Sequence, residues 1–330
     1  KYYRTEATSG DYSAHDEHEG WWPKVSNSGW GNSTYFAWDC DPRVFDQYGH
    51  IQASTVAIGS GGFGGGNNSL TYTKNRVRLT GIPNPSYPGS TSYPIASVIE
   101  NLITPHLIGK DSRTIEKHWF DIWEYGYRYA DQGILSMGLS GVDIALWDLL
   151  GKETNLPVHR LMGGAARKKI PLYWSVGSGW EKTPDQMLSD VKEGWDSGYR
   201  AFKIRMDWRG WRQDYNPEKD YLIFEKVRNF LPREIYLGFD ANNGYSVSTA
   251  IQQGRRFEKL GINHFEEPLP QYDLPGLKQV VDALDCAVSS GEQEVSSWRF
   301  RDLMQLGNPD ILQPDILNVG GLSEMIRVYE

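Results

Sequence analysis

Cysteine is almost missing from this chain: Cys40 and Cys286 are the only two in 330 residues, and they fall in what read as different domains. A disulfide framework is therefore not expected, and a reducing, cytoplasmic compartment fits. No apolar stretch reads as long enough for a membrane span, and the start carries no signal-peptide core, so no membrane partner is expected. Basic runs and tails are absent as well. With 34 Lys and Arg against 42 Asp and Glu, the net charge of −8 argues against nucleic acid as a partner. Histidine is sparse and unevenly placed, at positions 15, 18, 50, 106, 118, 159 and 264, with none beyond His264. The glycine-rich run Gly59 to Ser69 lacks the Lys-Ser/Thr of a phosphate-binding P-loop, and no strand or helix is evident on either side, so a loop or lid is expected there.

What the chain does have is a set of three carboxylates at even intervals. Asp240, Glu266 and Glu292 are separated by two gaps of 26 residues, and each closes a short apolar run that reads as a strand. Any one acidic residue at a strand end is explained as a cap for the next helix. Three at equal spacing fit successive strands of a parallel β/α barrel, which would present three oxygen ligands on the C-terminal rim where barrel enzymes keep their chemistry. Such a set, with no cysteine nearby, suits Mg²⁺ better than zinc. An acidic protein that handles an acidic substrate needs a local positive centre, which the metal and a few Lys or Arg would supply. The 13 Trp and 19 Tyr exceed the needs of packing, and rings in polar surroundings shape pockets for sugar-like ligands as well as filling cores and surface clamps.

Along the chain, residues 1 to about 90 are rich in Gly, Ser, Asn and aromatics and read as loops and short strands. From about 94, Ile95, Val98, Ile99, Leu102 and Ile103 recur at helical spacing. A second helix is expected over about 112–126 and a third over about 134–151, ended by Gly151. Residues 1–165 thus form a capping domain with a three-helix part. Residues 166–330 alternate strand and helix, with strands near 171–176, 200–206, 235–240, 262–266, 286–291 and 311–315. An eight-stranded barrel cannot close on six strands, so the chain is expected to lack its last two βα units, roughly 50 to 80 residues.

Taken together, the motifs resemble the enolase superfamily, and within it the mandelate racemase/muconate lactonizing enzyme-like subgroup. The resemblance rests on Gly138-Leu-Ser-Gly-Val-Asp-Ile-Ala-Leu-Trp-Asp-Leu-Leu-Gly151, Lys203-Ile-Arg205, Asp240-Ala-Asn242, Phe265-Glu-Glu-Pro268, Ser290-Gly-Glu292 and Gln313-Pro-Asp315 running on to Gly321. It implies a (β/α)7β modified TIM barrel with an α+β capping domain. It also implies that Asp240, Glu266 and Glu292 bind one Mg²⁺, which holds the carboxylate of an acid substrate while a base removes the proton on the adjacent carbon. Lys203 resembles the first Lys of the subgroup's Lys-x-Lys pair, beside the substrate carboxylate. Arg205 departs from that pair: a guanidinium stays protonated near neutral pH and suits binding better than proton abstraction. Asp315 resembles the strand-six Asp that orients a His on strand seven, yet no His follows it here. His264 faces the same way as Glu266 by strand alternation, either beneath the metal site or as a buried structural His. The segment Ser9 to Trp22 is similar to the cap loop of rhamnonate dehydratases, which would bring His15 or His18 to the substrate with Trp22 excluding water.

The expected activity is Mg²⁺-dependent dehydration of a sugar acid, an aldonate, to a 2-keto-3-deoxy acid. Asp240, Glu266 and Glu292 would hold the metal, Lys203 and Arg205 the carboxylate, Asn242 would contact substrate, and Asp315 would orient the missing His. The partner is then a small acid sugar, and the resemblance implies a homo-oligomer. Racemisation, epimerisation or cycloisomerisation on the same fold are alternatives, and a catalytically silent sugar-acid binding protein is an alternative of another class.

Overall fold

The computed structural model describes residues 57–60, 68–73, 76–80 and 92–330, apart from 131–132, 166, 168 and 208–212. The chain divides into two compact units, Lys1–Ala165 with Ile316–Glu330, and Ala166–Asp315.

In the first unit, β1 (Ala57–Ser60), β2 (Asn68–Thr73) and β3 (Arg76–Thr80) form an antiparallel sheet in that order. A strand therefore stands on each side of the glycine-rich run, with Ser60 paired to Asn68, where the sequence reading saw none. A P-loop joins a strand to a helix, so two antiparallel strands keep that assignment excluded. Next, α1 (Ser92–Val98) passes through a wide turn at Ile99–Ile103 into α2 (Thr104–Leu107), followed by α3 (Ile115–Tyr125), α4 (Tyr127–Ala130), α5 (Ile134–Thr154) and α6 (Val158–Leu161).

Helix α5 corrects two expectations. It does not stop at Gly151 but runs on to Thr154, closing on Asn155 in the left-handed region at φ 55°. Gly151 is needed for a different reason: a Cβ there would meet the Leu156 carbonyl oxygen at 2.8 Å as the chain folds back over it. Helix α5 is also long and apolar enough, by length and composition, to cross a membrane. Its charges, Asp143 and Asp148 among them, hid that from a reading of apolar runs. In this fold it is the central core helix of its unit, with Leu135, Leu139, Val142 and Leu146 packed among Ile95, Ile99, Ile103, Ile115, Trp119 and Ile122.

The second unit alternates strand and helix: β4 (Trp174–Val176), α7 (Pro184–Asp196), β5 (Ala201–Arg205), α8 (Pro217–Phe230), β6 (Tyr236–Asp240), α9 (Val247–Leu260), β7 (His264–Glu266), α10 (Leu274–Ala283), β8 (Ala287–Ser290), α11 (Ser297–Asp302) and β9 (Ile311–Leu312). The six strands lie in chain order and all pair in parallel, as consecutive units of a β/α barrel do. One face of this sheet is aromatic and aliphatic. Phe202, Ile204, Phe239, Phe265 and Val288 are fully buried, and Phe239 meets Phe257 of α9 at 4.7 Å between ring centroids. Each such ring contributes about 2 kcal/mol by leaving water. The helices start at defined points after the strands, because Thr183, Asn216, Ser246, Asp273 and Ser296 each accept a hydrogen bond from an amide of the first turn. That fixes the loops at the C-terminal edge of the sheet, where its other face carries charge.

The last helix, α12 (Gly321–Tyr329), belongs to the first unit. Residues 316–330 pack with α3 and α5. Trp119 Nε1 donates to the Gly320 carbonyl at 2.7 Å, Ser136 Oγ to the Asn318 carbonyl at 2.6 Å, and Asp143 receives the amide and hydroxyl of Ser323.

Candidate active site

Strand register sets the charged face in rows. Arg205, Asp240, Glu266 and Ser289 stand side by side, and two residues earlier on each strand come Lys203, Gly238, His264 and Ala287. The Lys203 ammonium lies 2.6 Å from Glu266 Oε1 and 3.4 Å from Asp240 Oδ2. Arg205 reaches Asp207 Oδ1 at 2.7 Å, and its Nε lies 3.6 Å from Asp240 Oδ2. Both cations thus converge on Asp240, with Lys203 also on Glu266 and Arg205 also on Asp207.

Burial and charge pull these groups in opposite directions. Burial pushes Asp240 up to about 8, opposed by Lys203, while Glu266 adds to the rise. Glu266 goes the other way: against the pull of burial, the hydrogen bond from His264 and the Lys203 ammonium bring it down to about 2. Lys203 is held well above the ordinary lysine range, since Asp240 and Glu266 outweigh its burial. A lysine so held is a fixed positive charge near neutral pH.

Glu292 follows β8 and is half-buried, close enough to Asp240 and Glu267 to raise both. Asn242 joins the cluster through its backbone amide, which donates to Asp240 Oδ1 at 2.8 Å, but its side-chain carbonyl is already used, accepting the Asp207 amide at 2.7 Å; its Nδ2 is buried without a hydrogen-bond partner. Asp315 is half-buried, three residues past the end of β9, so the strand is shorter than expected. His15, His18 and Trp22 lie outside the described residues.

Sequence reasoning missed three participants. Asp207 ties Arg205 to the Ser178 amide, at 2.7 Å to each. Glu267 is buried and accepts from Asn243 Nδ2 at 2.9 Å; burial first, then Glu292 and Asp240, pushes its carboxyl well up. Gln313 hydrogen-bonds the Glu266 carboxylate. Asp207, Asn242 and Glu267 all adopt positive φ, at 49°, 43° and 40°, just past the ends of three adjacent strands. Each non-glycine residue held there costs about 1–2 kcal/mol, and such strain concentrates at functional sites. The glycine Gly177 opposite Asp207 is one available signal, because a Cβ there would strike Asp207 Oδ2 at 2.2 Å.

The donor set fits a hard dication. Asp240, Glu266, Glu267 and Glu292 are oxygen donors gathered around the charges of Lys203 and Arg205, and Arg205 is already paired with Asp207. Asp240 Oδ2 is buried and accepts no hydrogen bond, the state of an oxygen with a valence to spare. Among the described residues no three acidic, His or Cys side chains form a finished cation cage, and the Lys203 ammonium stands between Asp240 and Glu266.

Comparison with known proteins places these features in a lineage. Residues 72–163 match the mandelate racemase/muconate lactonizing enzyme N-terminal domain, and residues 186–330 match the enolase C-terminal domain-like family. The chain is 31% identical to the arabinonate dehydratase of Saccharolobus solfataricus, over 70% of this chain and 60% of that protein. It is 33% identical to the L-talarate/galactarate dehydratase of Salmonella typhimurium, over 69% of this chain and 56% of that protein. The chain thus spans somewhat over half the length of these curated relatives. Among solved structures, a mandelate racemase/muconate lactonizing protein from Paracoccus denitrificans PD1222 complexed with magnesium superposes with a TM-score of 0.74 at 30% identity, over 84% of this chain and 74% of that one.

Proposed function

This chain belongs to the mandelate racemase/muconate lactonizing enzyme family of the enolase superfamily, and from that premise we propose that it dehydrates a sugar acid with the help of Mg²⁺. The observation that carries the reading is the buried all-oxygen cluster at the ends of β6, β7 and β8, set against two fixed cations on β5. The dehydratase relatives support the reaction class.

In this reading Asp240, Glu266 and Glu292 hold the ion. Mg²⁺, when bound, supplies positive charge where a substrate carboxylate gathers negative charge as its neighbouring carbon loses a proton. Lys203 remains protonated and offers a second positive charge to that carboxylate. Arg205, anchored by Asp207, acts as a stationary donor and not as a base. Asn242 Nδ2, buried without a partner, is free to donate to a substrate oxygen. Loss of the C2 proton and of the C3 hydroxyl as water leaves an enol, which becomes the 2-keto-3-deoxy acid. The proton acceptor is not assigned among these residues, and Asp315 keeps the role of orienting one.

The test is proton NMR of the full-length protein in D₂O with Mg²⁺ and a panel of aldonic and aldaric acids. Loss of the C2 signal with a new C3 methylene is the expected result. Deuterium entering C2 without loss of water would replace dehydration by racemisation or epimerisation, and tight binding without any change in the acid would make this a binding protein.

A further inference from the structure

Glu266 is gripped from two sides, and only one of them belongs to the charged rim. Lys203 takes Oε1, while Oε2 lies 3.2 Å from His264 Nε2, on the same strand two residues earlier. The other ring nitrogen, Nδ1, lies 3.0 Å from the Tyr236 hydroxyl on the neighbouring strand β6. A carboxylate accepts and cannot donate, so Nε2 carries the hydrogen toward Glu266. In the neutral ring Nδ1 then accepts from the Tyr236 O–H, and the tautomer is fixed.

The space for this arrangement is built into the sheet. Gly238 pairs with His264 across the β6–β7 ladder. A Cβ on Gly238 would fall 1.9 Å from His264 Cε1 and 2.3 Å from Nδ1, so the imidazole occupies the volume that a side chain there would fill. The Tyr236 ring stacks beside the imidazole with centroids 5.5 Å apart and planes at 28°. His264 itself is only 4% exposed. A buried ring with both nitrogens engaged and a glycine cleared for it has one rotamer and one orientation open to it.

We propose that Tyr236 and His264 are positioning residues that hold the Glu266 carboxylate in the orientation a divalent cation needs, with Gly238 as the residue that admits them. The inference rests on the cation reading above. Groups behind a ligand commonly change metal affinity by about 10- to 100-fold when removed. The pair touches neither substrate nor metal and acts through Glu266 alone.

Binding of Mn²⁺ to the full-length protein, followed by electron paramagnetic resonance and competed by Mg²⁺, tests this directly. His264→Phe keeps a ring and removes the donor, and is expected to weaken Mn²⁺ binding by about 10- to 100-fold. His264→Gln restores a donor near Nε2 and should recover most of that loss. Tyr236→Phe removes one oxygen at a half-exposed site, leaves the fold intact, and should weaken binding by about 3- to 10-fold, as an outer partner of an outer partner. Gly238→Ala should behave like His264→Phe. If His264→Phe and Tyr236→Phe both fold and bind Mn²⁺ as the wild type does, the positioning role is overturned while the cation site stands. Failure of the wild type to bind Mn²⁺ at all would overturn the cation reading and this inference with it.

Discussion

Asp143 in the first unit and Asp240 in the second are both shut away from water, at 1% and 0% exposure, and burial pushes the two carboxyls up to about 7 and about 8. Their partners differ. Asp143 caps a helix from outside: Oδ2 accepts the Ser323 amide at 3.0 Å and Oδ1 the Ser323 hydroxyl at 2.6 Å, at the start of α12, whose own Gly320 offers no side chain to do so. Gly321 makes the approach possible, since a Cβ there would sit 2.4 Å from Asp143 Oδ2. Asp240 accepts only the Asn242 amide on Oδ1, and its Oδ2 accepts no hydrogen bond at all. Burial and a raised carboxyl therefore do not mark a site by themselves. What separates the two is that Asp143 spends both oxygens on hydrogen bonds, whereas Asp240 Oδ2 meets only the charges of Lys203 and Arg205, at 3.4 and 3.6 Å.

Neutralising each aspartate in turn should separate the two roles, and the larger effect belongs to Asp240. Asp240→Asn is expected to weaken Mg²⁺ binding by more than about 100-fold, beyond the effect of removing an outer partner, and to abolish turnover. The same change takes a buried carboxylate away from Lys203 and Arg205, which lie 3.4 and 3.6 Å from Oδ2, and should lower the thermal midpoint as well. Isothermal titration and a melting curve on one preparation give both numbers. Full activity in the variant would remove Asp240 from the metal site.

The contrast also marks how far a sequence can be read. The 26-residue rhythm of Asp240, Glu266 and Glu292 follows from the regularity of strand and helix units: Asp240 and Glu266 close successive parallel strands, and Glu292 lies two residues past the end of the next. Lys203 and Arg205 were legible through their resemblance to a Lys-x-Lys pair, and they lie two apart on one strand. Asp207 and Glu267 were not, because their places depend on left-handed turns at residues other than glycine, which leave no pattern in the chain. Nor was the contact between Tyr236 and His264, which requires knowing that Gly238, and not a neighbour, pairs with His264. A βα rhythm says where α12 falls in the chain and not which helix it packs against, so its contacts with α3 and α5 were not legible. Asp143 stood in plain view within an apolar helix, but its partner is 180 positions away.

Asp143→Ala should cost stability instead of ligand affinity. It leaves the Ser323 amide and hydroxyl without their acceptor in a buried place, a loss of about 2–4 kcal/mol readable by urea unfolding, with Mg²⁺ affinity unchanged. Asp143→Asn separates charge from shape. The folded carboxyl titrates at about 7, against about 3.9 in an unfolded chain. Between those values the native state keeps a proton that the unfolded state has lost. The contribution of this group is therefore complete below about pH 4 and is lost as pH rises through about 7, at up to about 1.4 kcal/mol per pH unit. Glu116 on α3 adds to the rise in Asp143, while the Leu322 and Ser323 amides oppose it. In Asp143→Asn that slope should flatten; an unchanged slope would assign it to other groups.

Ser323→Ala is the finest probe of the same contact. The Ser323 hydroxyl donates to Asp143 Oδ1 and accepts from Trp147 Nε1 at 3.0 Å, so its removal costs two hydrogen bonds while the amide bond to Oδ2 remains. Trp147 is half-buried and can turn its N–H toward water, which limits the expected loss to about 1–2 kcal/mol. The hydroxyl favours the ionised carboxylate, and taking it away should move Asp143 further up, not down. The decline in stability with pH should then continue above pH 7 in Ser323→Ala, where the wild type has levelled off. A decline that ends at lower pH in the variant would mean that the hydroxyl stabilises the neutral acid, and the cap on α12 would have to be assigned to a protonated Asp143.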